Sequence, residues 1–218
     1  STFDPDSEEY KGYKTWADYA TDAAAYQKVL DVEIARRAAA YKAANEQLAA
    51  SNEQIRKNNI TNQENLEKLE GYDPNETRDS LKRSLYGYEV TKNKLDADGN
   101  PIPKLDADGN EMKDADGNTI YETETVTEYD AGSIGGDLKA AKEKLADLQK
   151  QLEEYNKEGS TATEEEIAAV EQAIIDTTTD VEAKQKTFDE AETRYAFLDG
   201  IETNKKLIEE NEATIADK

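Results

Sequence analysis

A chain of 218 residues with 50 acidic against 27 basic side chains, a formal charge of -23 and 36% apolar residues has low apolar content and high charge for a compact core, so a thin helical rod fits better. With no cysteine and no histidine, thiol chemistry, imidazole base catalysis and the usual zinc, haem and iron-sulfur ligand sets are excluded. The acidity argues against nucleic acid and anionic membrane as partners, and no apolar run approaches the ~20 residues of a bilayer span.

No signal peptide precedes Ser1, which leaves a mature secreted chain, a cloned fragment and a cytosolic protein shorn of Met all open. Avoidance of cysteine, acidity and 12 Tyr against 3 Phe have the flavour of exported bacterial surface proteins. The expected location is therefore extracellular or the cell surface.

Residues 1 to 15 form an irregular leader with Tyr10 and Tyr13 available to dock on something. Thr15 followed by Asp18 is an acidic variant of the capping box and starts a first helix over about 16 to 70. Trp16, Tyr19, Ala23, Tyr26 and Leu30 alternate three and four apart, and Ile34, Tyr41, Leu48 and Ile55 continue a seven-residue ladder. At 1.5 Å per residue such a helix is roughly 80 Å long, more than a globular core covers, so a partner helix is needed.

Asn45, Asn52 and Asn59 recur every seven residues beside that ladder, and Asn204 and Asn211 do the same beside Ile201, Ile208 and Ile215. An amide at a coiled-coil seam costs stability and specifies register, because once desolvated it must meet another polar group. Laid antiparallel, one register places Asn45 opposite Asn211 and Asn52 opposite Asn204. It leaves residues 16 to 37 without a partner inside the chain, so a protein partner, including further copies of this chain, is expected there.

After Gly71, Asp73-Pro74-Asn75-Glu76 signals a restart, with Asp73 as N-cap of a short helix ending near Tyr86. Three copies of Asp-Ala-Asp-Gly-Asn then follow at Asp96, Asp106 and Asp114, and a β-branched run over 119 to 127 closes the segment. Each Asp-Gly suits a tight hairpin turn, so 71 to 136 is expected to be an inserted side domain, a short helix with a β-meander whose first strand is 88 to 94. Tyr86, Tyr88, Tyr121 and Tyr129 lie in or beside this excursion, where amphipathic rings suit a contact surface.

Alternate oxygens two residues apart are also how calcium loops begin. The copies resemble the opening of an EF-hand or dockerin-type loop, which implies ligands at Asp96, Asp98 and Asn100, at Asp106, Asp108 and Asn110, and at Asp114, Asp116 and Asn118. The match covers five residues. Position six then holds Pro101, Glu111 or Thr119 in place of Gly, and position twelve Ala107, Gly117 or Thr125 in place of the bidentate Glu. Calcium is the only ion so implied, and no other cofactor is expected.

A second helix over 137 to 158, capped by Asp137, and a third over 163 to 217 complete the chain, with Thr161 or Thr163 opening the third. The fold class is mainly α: a long antiparallel coiled-coil rod built from 16 to 70 and 137 to 218, with a small β-rich insertion at mid-length. The expected role is non-enzymatic, a stalk or spacer of an extracellular bacterial surface or adhesive protein. Terminal helices around a central insertion also resemble flagellin in outline, which implies a filament or sheath subunit polymerising through its terminal helices.

Overall fold

The computed structural model describes Lys11 and residues 15–216, so the expected leader, with Tyr10 and Tyr13, lies outside the described residues except for Lys11 and Thr15. The elements are α1 (Trp16–Leu66), α2 (Arg78–Tyr86), β1 (Tyr88–Asn93), β2 (Thr123–Glu128), α3 (Ile134–Tyr155) and α4 (Glu164–Ala216). The protein is mainly helical: α1 and α4 pack antiparallel, and one small two-stranded sheet lies mid-chain. Two compact units are distinguished, residues 1 to 60 with 203 to 218, and residues 61 to 202.

In the first unit Thr15 caps α1 as its spacing predicts, its Oγ1 accepting from Asp18 N at 3.2 Å. The seam with α4 is built on amides. Asn211 Nδ2 donates to Asn52 Oδ1 at 2.7 Å, and Asn204 Nδ2 to Asn59 Oδ1 at 2.7 Å. The expected partners, Asn211 for Asn45 and Asn204 for Asn52, are thus wrong by one heptad. Three amides spaced by sevens on α1 face two on α4, so sliding by seven still sets amide against amide, and amide spacing alone does not choose.

Asn52 is 2% exposed, and its Nδ2 also reaches Ile208 O at 3.4 Å. Replacing it with Leu leaves the Asn211 amide facing hydrocarbon, a loss of about 1–2 kcal/mol. Replacing both Asn52 and Asn211 with Leu removes the polar layer and is expected to recover that loss or exceed it. Urea titration of the two single variants and the double variant checks this; a double variant no more stable than the singles would contradict it. Asn45, displaced from its expected partner, keeps a buried Oδ1 with no hydrogen bond among the described residues.

In the second unit α1 comes to its end. The helix stops at Leu66, short of the expected position 70, and turns follow to Gly71, whose φ of +73° is left-handed. Arg194 on α4 is 6% exposed. Its Nη1 donates to Glu70 O at 3.0 Å and its Nε to Glu76 Oε2 at 3.1 Å. One guanidinium thereby satisfies a carbonyl just past the helix end and pairs a half-buried carboxylate, tying this turn to one level of α4.

α2 occupies the next stretch of α4. Leu81 and Leu85, 2% and 1% exposed, pack with Ala191 while Ile134, Phe188, Tyr195 and Leu198 close around them. Each leucine contributes roughly 1.5–3 kcal/mol by leaving water. The cap is Thr77, not the expected Asp73: Thr77 Oγ1 accepts from Ser80 N at 3.1 Å, and Thr77 N donates back to Ser80 Oγ at 3.0 Å. Asp73 instead makes its own turn, with Oδ1 accepting from Asn75 N at 2.8 Å. Over 191 to 198 of α4, Arg194 faces the end of α1 while Ala191, Tyr195 and Leu198 face α2.

α3 begins at Ile134 with Ser133 as N-cap, not at the expected Asp137, so Gly135 and Gly136 lie inside its first turn. Leu138 and Ala141 on α3 and Val170 and Thr177 on α4 are buried, and Lys142 Nζ donates to Gln185 Oε1 at 2.8 Å. Thr163 caps α4 in a full box with Glu166, with bonds of 2.8 and 3.2 Å.

In place of a meander, the first strand pairs with the last. β1 and β2 are antiparallel from Tyr88 opposite Glu128 to Asn93 opposite Thr123. The residues between them form three hairpins interlocked by closed rings of backbone bonds. Lys94 N donates to Glu122 O, Glu122 N to Ile102 O and Ile102 N to Lys94 O, all within 2.8–2.9 Å. A second ring runs from Lys104 N to Ile120 O, from Ile120 N to Met112 O and from Met112 N back to Lys104 O, again at 2.8–2.9 Å. Pro101 and Pro103, which lack a donor, flank Ile102 and stay out of the rings, forming bridges to Leu95 and Tyr121.

Candidate contact surface

Three of the four tyrosines singled out from the sequence gather where α2, the sheet and α3 meet, and none of the three is simply displayed. Tyr86 packs edge-on against Phe188 and Tyr195, with ring centroids 6.1 and 5.8 Å away. Its hydroxyl donates to Glu192 Oε1 at 2.9 Å. Burial, reinforced by the neighbouring Glu192 carboxylate, pushes that hydroxyl up to about 12, so it remains a donor through the physiological range.

Arg83 lies 3.9 Å over the Tyr88 ring and donates through Nε and Nη2 to the two oxygens of Asp130, at 2.6 and 2.9 Å. The Asp130 carboxyl is lowered by that guanidinium and the Arg83 pKa raised by its partner. Tyr129 packs against the α3 start and has Lys139 Nζ 5.7 Å from its ring. Tyr121, 38% exposed, sits apart in the hairpins, bridged to Pro103.

Between these elements is an open cleft of about 320 Å³ floored by Leu85, Leu138 and Phe188, walled by Tyr86 and Tyr129, with Lys139 and Lys142 at its edge. Sequence reasoning missed Arg83 and Asp130, which hold Tyr88, and Arg194, which holds the turn after α1. For Arg194 a signal existed, since it continues the heptad of Ile201, Ile208 and Ile215 toward the N-terminus as a charge in an apolar series. For Arg83 and Asp130, far apart in sequence and both on polar ground, there was none.

The three Asp-Ala-Asp-Gly-Asn copies are hairpin turns of one design. Gly99, Gly109 and Gly117 each have φ of +84°, which is why Asp-Gly recurs. Asp96 Oδ1 accepts from Asp98 N and Asn100 N, both at 2.9 Å. Asp106 does the same with Asp108 and Asn110, and Asp114 with Asp116 and Asn118. The first carboxylate of each copy is therefore turned onto its own backbone. Among the described residues no group of three or more acidic side chains is gathered as a metal site.

Those bonds hold Asp96 and Asp106 below the usual carboxylate range, chiefly through the Asn100 and Asn110 amides, and Asp114 chiefly through the Asn118 side chain. A carboxyl lowered in the folded state adds stability that is present above its unfolded value of 3.8 and is lost as pH falls through the lower folded value. The backbone amide resonances of Asn100, Asn110 and Asn118 are therefore expected to stay fixed down to that range and shift together below it. Titration of all three at or above 3.8 would contradict the turn geometry.

The apolar positions expected to meet another protein lie on α1 with Tyr26 70%, Leu30 39% and Ile34 56% exposed. No described helix is long and apolar enough to cross a membrane. Compared with protein-family models, curated proteins and solved structures, the chain finds no match in any of the three.

Proposed function

We propose that this protein is a non-enzymatic structural and interaction element, a spacer or stalk segment of an extracellular bacterial surface or adhesive protein. The observation that carries the mechanical part is the amide pair of buried Asn52 and half-buried Asn211, repeated one heptad along by Asn59 and Asn204. Polar layers of this kind hold two long helices at one stagger, which a spacer needs more than it needs maximal stability. The surface location is supported by composition, with no cysteine, a charge of -23 and a tyrosine-rich aromatic set. Biotinylation of intact producing cells with a membrane-impermeant reagent tests it; labelling only after lysis would overturn it.

A second reading, a subunit of a helical filament or sheath, is favoured by the exposed apolar residues of α1. Electron microscopy of concentrated protein separates the two, since filaments support the second and isolated particles the first.

A further inference from the structure

We infer that Asp98, Asp108 and Asp116 are latent sites of spontaneous isoaspartate formation, and that the first aspartate of each copy, Asp96, Asp106 or Asp114, keeps its site closed through the turn it holds. The chemistry belongs to the hairpin backbone and does not depend on the role proposed above. In this reaction the backbone nitrogen after an aspartate attacks that residue's own Cγ. A C–N bond forms, a carboxyl C–O bond breaks and a water leaves, giving a five-membered succinimide. Water then opens the ring at either carbonyl, so the product is aspartate or, with the main chain rerouted through Cβ, isoaspartate. Water is the only other reactant.

A glycine after the aspartate favours attack, because no Cβ hinders its nitrogen. Here the glycine is also what the fold requires: Gly99, Gly109 and Gly117 hold φ of +84°, where a side chain would be strained. A Cβ added at any of them would meet open space, so surrounding protein does not shield these bonds. Asp98, Asp108 and Asp116 are themselves exposed. The backbone demand that puts Asp-Gly in every copy thus creates the same liability in every copy.

The turn opposes it. Gly99 N donates to Asp96 O at 3.1 Å, Gly109 N to Asp106 O at 3.2 Å and Gly117 N to Asp114 O at 3.1 Å. Among the described residues only glycines have positive φ, so each bond closes a type I turn with the reactive aspartate in third place, at ψ of about 0°. Ring closure needs the Cβ of that aspartate level with the glycine nitrogen, a rotation of about 120° around Cα–C from the turn. Such a rotation pulls the glycine N–H off its acceptor. Asp96 Oδ1 resists it by holding Asp98 N and Asn100 N, both at 2.9 Å. Asp106 and Asp114 hold the matching amides in their copies at 2.8–2.9 Å. The reaction therefore waits for the turn to open.

Trypsin cuts after Lys94, Lys104 and Lys113 and so places the copies on separate peptides, in which isoaspartate changes chromatographic retention at unchanged mass. In intact protein aged at neutral pH, Asp98 is expected to isomerise at least about fivefold more slowly than in a synthetic peptide of residues 94 to 104, since several bonds must open together. Asp96→Ala should raise the Asp98 rate at least about threefold, with Asp108 and Asp116 in the same molecule unchanged. Asp96→Asn, which retains an Oδ1 acceptor, should keep most of the protection. Protection of Asp98 below that level, a smaller rise in Asp96→Ala, equal acceleration in every copy, or Asp96→Asn behaving as Asp96→Ala would each overturn the inference.

Discussion

Replacing Arg194 with methionine is expected to lower the stability of the fold by about 2 kcal/mol, because it strips the charge partner from the half-buried Glu76 and the donor from Glu70 O. The Arg194 side chain is 7% exposed and that of Glu76 18%, so the pair is screened far less than the exposed ion pairs elsewhere on these helices. Lysine is no substitute, since a single ammonium does not span the 3.0 and 3.1 Å contacts that two guanidinium nitrogens make at once. Arg194→Lys should lose about half as much. Adding Glu76→Gln to Arg194→Met should recover part of the loss by removing the stranded charge. Chemical denaturation of the four proteins measures this, and a loss under about 1 kcal/mol for Arg194→Met would mean that α1 ends where it does for another reason.

The second large effect is at Gly135. A Cβ built there would stand 1.9 Å from Leu85 O, 2.8 Å from Leu85 C and 2.8 Å from Tyr129 Cε1. Two of those atoms are backbone at the end of α2, so relief requires α2 and α3 to part, opening the core formed by Leu81 and Leu85. Gly135→Ala is expected to cost about 3 kcal/mol or more, at the upper end of overpacking effects. Gly136→Ala meets Ser133 Oγ at 2.6 Å and Tyr129 Cβ at 2.9 Å, both on side chains, and should cost less. Thermal denaturation of the two variants compares them; equal losses would show that the close approach of α2 and α3 is not the constraint.

Long helices, their antiparallel packing and the pairing of amides were legible in the sequence because each is periodic, and periodicity survives without knowledge of contacts. Absolute register was not. Asn52 meets Asn211 instead of Asn204, and amide spacing could not tell the two apart because a slide by one heptad still sets amide against amide. Caps followed the same rule. Thr15 and Thr163 were recognisable because the matching acidic residue sits three positions on. Ser133 was hidden because Gly135 and Gly136 look like the end of a loop, whereas they are in helix so that α3 can graze Leu85. The tyrosines around the cleft were found by type, but their engagement with Arg83, Glu192 and Phe188 depends on tertiary proximity.

The pairing of Asn93 with Thr123 brings the two ends of the hairpin segment to adjacent rungs. Everything from 94 to 122 thus leaves and returns through a single doorway, held by its own rings of amide bonds, and among the described residues none of its side chains belongs to the buried apolar core. Such a cassette can be exchanged for a foreign epitope or lengthened by another Asp-Gly unit while the helical scaffold beneath keeps its form, which makes this the natural grafting point of the molecule.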